Sequence, residues 1–113
     1  ARLKEIRKEF ETELFIPGSK EGLNIELDKA FRLDDFITMG QLIAYDALNR
    51  EESCGGHFRE EYQTEEGEAK RDDENFFYVA CWEYQGSDDK APVSYKEPLV
   101  YEAIKVQTRN YKS

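Results

Sequence analysis

Cys54 and His57, spaced as Cys-x-x-His with two glycines between them, are the sharpest candidates for chemistry in this sequence. A thiolate and an imidazole at that spacing offer two metal ligands. Structural zinc wants four, and the chain supplies only one further cysteine, Cys81, and no second histidine. The same side chains could form a nucleophile pair, since a histidine lowers a thiol pKa, but no third orienting group or oxyanion motif accompanies them. We favour a structural role, in which Gly55-Gly56 makes a tight turn and His57 hydrogen-bonds to a neighbouring segment or domain.

Two other groups invite a functional reading. Eight carboxylates between Glu60 and Glu74 lack the alternating Asp/Asn pattern, central glycine and terminal glutamate of a calcium loop, so a solvated loop is expected. Phe76, Phe77, Tyr78, Trp82 and Tyr84 could stack bases, but with little basic charge nearby a packed or interface strand fits better. No glycine-rich phosphate cradle, Ser/His/Asp arrangement or dinucleotide fingerprint is present.

The elements that must position these residues follow from periodicity. Leu3, Ile6, Phe10 and Leu14 recur at helical steps between charged residues, which predicts an amphipathic helix ending where Ile16 meets Pro17-Gly18. A polar connection, Ser19 to Gly22, follows. A second helix is predicted from Leu23 to about Asn49, with Leu23, Leu27, Phe31, Phe36, Ile37 and Leu48 among its apolar positions. Gly40, Ala44 and Ala47 would let a neighbouring helix approach closely. Two such helices make an αα-hairpin that alone leaves much of its apolar stripes in water, so a third helix or another domain is expected.

Residues 51–75 read as a polar loop without periodicity, either a docking loop or disordered. Phe76 to Tyr84 reads as a strand and Gly86 to Asp89 as a turn, while Val93 to Lys96 and Ala103 to Val106 can supply returning strands. The predicted fold is thus α+β and mainly α. It comprises a helical hairpin over residues 1–50, a loop over 51–75 and a β-rich tail over 76–113, together a single domain.

The chain has 113 residues, and its 25 acidic against 16 basic side chains give a net charge of −9, a pI near 4.7 and a mean hydropathy of −0.84. That acidity disfavours nucleic acid and anionic membrane surfaces as partners. No apolar run approaches the roughly 20 residues of a bilayer span, and the first residues hold no apolar signal core, so a cytoplasmic location without membrane insertion is expected. Two cysteines allow only one bridge, and we expect reduced thiols. The first apolar face begins as though in mid-element at Ala1, which suggests a piece of something longer.

Two blocks carry a family resemblance. Arg50-Glu51-Glu52-Ser53-Cys54-Gly55-Gly56-His57-Phe58-Arg59 resembles the R-x-E-S-R-G-A-H-x-R segment in the C-terminal domain of succinate dehydrogenase and fumarate reductase flavoproteins. Arg71-Asp72-Asp73-Glu74-Asn75-Phe76 resembles that family's R-D-D-E-N-[WF] segment, and the ordered pair is far more specific than either half. The stretch from Leu27 to Asn49 is similar to the long last helix of the family's three-helix bundle, and Leu3 to Phe15 to the helix before it. Cys54 stands where the family commonly has arginine, and Gly56 where it has alanine. The tail from Gly86 to Ser113 departs from the common pattern. L-aspartate oxidase shares the first block but usually lacks the second.

The resemblance implies a parent enzyme that interconverts succinate and fumarate through FAD. Electrons would pass to an iron-sulfur subunit and a membrane quinone-reactive anchor, with the complex on the cytoplasmic face of the inner membrane. Flavin and dicarboxylate residues belong to upstream domains, so no catalytic, cofactor-binding or metal residue is assigned here. The fragment alone is expected to be inactive and free of cofactor, with the upstream FAD-binding domain as its partner. Glu52, Ser53, Gly55, His57 and Arg59 are the expected interdomain contact. A stand-alone acidic protein-interaction module, its helical hairpin docked to a partner helix, is the alternative.

Overall fold

The computed structural model describes residues 2–19, 21–87 and 90–108. The fold is α+β and mainly helical, as predicted, with a long helix and a two-stranded antiparallel sheet toward the C-terminal end. The chain forms two compact units, Ala1–Asn49 and Arg50–Ser113.

In the first unit, α1 (Arg2–Glu13) and α2 (Ile25–Asn49) pack as an antiparallel hairpin. The direction follows from the contacts: Arg7 reaches Asp34 and Thr38, whereas Leu3, four residues earlier, reaches Gln41. α1 stops at Glu13, short of the predicted Ile16. Glu11 and Glu13 oppose the negative end of the helix dipole, no basic residue occupies the last turn, and Pro17 restricts the residue before it. α2 begins at Ile25 because Asn24 caps it: its Oδ1 accepts the backbone N–H groups of Glu26 (3.1 Å) and Leu27 (3.2 Å). Leu23, expected inside the helix, lies ahead of the cap and is 92% exposed. The Asn24 amide also donates to the Pro17 carbonyl at 3.2 Å, tying down the connection. Lys20 lies outside the described residues.

The apolar centre of this hairpin is small. Ile37 is 5% exposed, and Arg7 is buried beside it in the contact face. The Arg7 guanidinium donates to Asp34 Oδ1 at 2.8 Å and to Thr38 Oγ1 at 2.5 Å, which pairs a charge taken out of water. Phe36, Met39 and Ile43 of α2 remain exposed. A Cβ added at Gly40 would meet Leu3 Cδ1 at 3.9 Å, an ordinary contact, so α1 makes no use of the close approach predicted for that glycine.

In the second unit, β1 (Tyr78–Glu83) pairs antiparallel with β2 (Val93–Pro98), from Tyr78 opposite Pro98 to Glu83 opposite Val93. The predicted strand start at Phe76 is corrected, because Phe76 closes the one-turn helix α3 (Asp73–Phe76) and Phe77 follows as its cap. Asp72 caps α3, its Oδ1 accepting the Asn75 N–H at 3.2 Å. Residues 103–106 are irregular, not a strand; Phe77 instead meets the Tyr101 ring at 5.7 Å, which docks the segment after β2 through side chains. Asp88 and Asp89 of the predicted turn lie outside the described residues.

The segment expected to be irregular, residues 51–75, is built from turns with defined hydrogen bonds. Tyr62 to Lys70 folds as a hairpin: Gly67 N–H donates to the Thr64 carbonyl (2.9 Å), and Thr64 N–H to the Glu68 carbonyl (2.8 Å). Gly67 has φ +78°, the left-handed position that a three-residue hairpin loop requires.

Candidate functional site

The turn around Cys54 is a two-residue hairpin. Cys54 N–H donates to the His57 carbonyl (2.8 Å), and His57 N–H to the Cys54 carbonyl (3.1 Å). Of its two central glycines only Gly55 has a positive φ, +58°, the signature of a type II′ turn, which takes glycine at that place. Nothing lies within 4 Å of a Cβ built on Gly55 or Gly56, so the tip is open.

Behind the tip sit two of the predicted contact residues. Ser53 is 0% exposed; its hydroxyl accepts the Arg59 N–H (2.8 Å) and donates to the Arg59 carbonyl (3.2 Å), while its own N–H donates to the Lys70 carbonyl (2.9 Å). Glu52 is 3% exposed and divides its carboxylate between the Arg50 guanidinium (2.7 Å) and the Asp72 N–H (2.9 Å). Both side chains are consumed inside the unit, as buried polar groups must be.

Arg50 organises the rest. Its guanidinium also donates to the carbonyls of Phe76 and Tyr78, each at 3.3 Å, and lies over both aromatic rings. Its own carbonyl receives His57 Nε2 at 3.0 Å and Arg59 Nη1 at 3.3 Å. A carbonyl only accepts, so His57 carries its proton on Nε2 and the expected bond from His57 to a neighbouring segment is present. The Arg59 guanidinium pairs with Glu61 and stacks over Tyr62. Glu61 lies below the usual carboxylate range, first through a hydrogen bond from its own backbone N–H and then through Arg59. Arg71 holds Asp73 through Nε at 2.9 Å, and that carboxylate raises the guanidinium pKa further above its ordinary value.

The structure therefore brings all five predicted residues to one turn and separates them into two groups. Glu52 and Ser53 lie buried beneath it, whereas Gly55 is exposed and His57 and Arg59 are half-buried. The sequence reading missed Arg50 and Asp72 as their partners. Arg50 carries no local mark of its role, but Asp72 three residues before Asn75 is a legible capping signal. Cys54 and Cys81 are free thiols. Among the described residues, no group of three or more His, Cys, Asp or Glu side chains could hold a metal ion, and no helix is long and apolar enough to cross a membrane.

The chain is thus a long helix packed in a hairpin, followed by a hydrogen-bonded turn and a small sheet, with both sequence blocks interlocked through Glu52 and Asp72. The family described as "Fumarate reductase flavoprotein C-term" matches residues 1–111, and the chain belongs to it. No curated protein and no solved structure matches the chain. Membership makes this the C-terminal domain of a succinate dehydrogenase/fumarate reductase flavoprotein subunit, an oxidoreductase at full length. The FAD belongs to that parent subunit, not to this domain.

Proposed function

We propose that this domain buttresses the FAD-binding domain of its own polypeptide and does no chemistry itself. The observation that carries the proposal is the turn Glu52 to Arg59, which is held from within by Ser53, Glu52 and Arg50 while its glycine tip is open. Such a turn offers the backbone of its glycine tip at close approach with little ordering cost on docking. Residues 1–113 act as one domain of the parent. Leu33, Phe36, Gly40, Ile43 and Ala47 recur along α2 at steps of three and four and offer a seat for the third helix of the bundle.

In this reading the isolated chain binds no flavin and oxidises no succinate. The parent subunit hands electrons to an iron-sulfur subunit at the cytoplasmic face of the inner membrane. The test is the full-length flavoprotein beside its His57→Ala variant. The expected result is weaker flavin retention and a lower melting temperature; no change in either would sink the docking role.

A further inference from the structure

Resting on that docking role, we infer that Phe58 is the side chain through which the turn engages the flavin-binding domain, as an apolar knob seated in an apolar pocket. The contact residues predicted from sequence are all polar or glycine, and the polar ones are already spoken for. Glu52 and Ser53 are buried and bonded inside the unit, His57 Nε2 donates to the Arg50 carbonyl, and Arg59 is held by Glu61, Tyr62 and the same carbonyl. What the turn still presents is Gly55, Gly56 and the Phe58 ring.

Phe58 is 51% exposed, and from Arg50 to Asn75 it is the one large hydrophobic side chain that is exposed. Its mount is rigid on both sides. His57 before it exchanges two backbone hydrogen bonds with Cys54, and Arg59 after it has its N–H and carbonyl both bonded to the Ser53 hydroxyl. An aromatic ring on a pinned backbone loses little conformational freedom when it is buried, which is what makes such side chains anchors at interfaces. Ser53 is then a positioning residue for Phe58, acting through Arg59.

The experiment uses the full-length flavoprotein. Hydroxyl-radical footprinting reads the Phe58 ring, hydrogen exchange reads the Gly55 and Gly56 amides, and limited proteolysis reads release of the C-terminal domain. The expected result is a Phe58 ring oxidised several-fold more slowly in the full-length protein than in the C-terminal domain after its proteolytic release, with release about tenfold faster in Phe58→Ala and close to wild type in Phe58→Leu. A ring oxidised as fast as in the released domain, while both glycine amides stay protected, would overturn the role of Phe58 and leave the docking of the turn standing. Ring and amides all open would overturn both. A Phe58→Ala protein released at the wild-type rate would overturn the anchor whatever the footprint.

Discussion

The Ser53 hydroxyl is bonded to both backbone polar groups of Arg59, accepting its N–H at 2.8 Å and donating to its carbonyl at 3.2 Å. One fully buried oxygen thus ties together residues six apart in the sequence, just outside the Cys54–His57 backbone pair. Ser53→Ala leaves both Arg59 groups without that partner, and a buried group so stranded costs about 1–3 kcal/mol. We expect a corresponding fall in stability, measured by urea denaturation, while Ser53→Thr keeps the oxygen and retains part of it.

Arg7 holds the helical hairpin in register. Its guanidinium bridges to Asp34 and Thr38, and hydrogen bonds of this charged kind contribute about 1.5–3 kcal/mol. Arg7→Ala should lower the stability of the hairpin within that range. Arg7→Lys should recover little, because an ammonium cannot fork to both partners. A double-mutant cycle with Thr38→Val would report the coupling.

Gly40 is under no steric demand from α1, whose nearest atom, Leu3 Cδ1, would stand 3.9 Å from an added Cβ. Gly40→Ala is therefore expected to stabilise the 113-residue chain by about 1 kcal/mol through helix propensity, read by thermal melting monitored by circular dichroism. The same change should destabilise the full-length subunit if a third helix seats closely on that face.

Tyr95 donates its hydroxyl to Glu83, which holds the neutral phenol and raises its pKa above the ordinary 10.0. The folded pKa exceeds the unfolded one, so the bond's contribution is complete below about pH 10 and is lost as pH rises through the folded value. Glu83→Ala should move the Tyr95 ionisation to lower pH, followed by the ring carbon shift in NMR. Glu61 has the opposite sign: its pKa is depressed first by the hydrogen bond from its own backbone N–H and then by Arg59, so what these contribute is lost as pH falls.

The fold class, the long helix and the Gly55-Gly56 turn were legible in the sequence because each depends on neighbours within a few residues. The start of α2 was legible too in Asn24, whose cap is local, although apolar periodicity drew the boundary at Leu23. Other features leave no local trace. Arg7 reads as a surface charge next to Ile6, and its burial depends on acceptors 27 and 31 residues away. Ser53 and Glu52 are interior only because Lys70 and Asp72 return to them. That the five expected contact residues share one turn follows from their closeness in sequence, whereas the burial of Glu52 and Ser53 inside it depends on partners that return from 17 to 20 residues later.

The uncovered row on α2, with Phe36, Met39 and Ile43 in water, bears on the life of the subunit before it is complete. Until a partner surface lies over them, these side chains are what a chaperone would grip and what would drive newly made copies to clump. If the proposed third helix is what covers them, maturation and disposal would be read from the same few residues, and a polypeptide that fails to close over its own long helix would be marked for destruction.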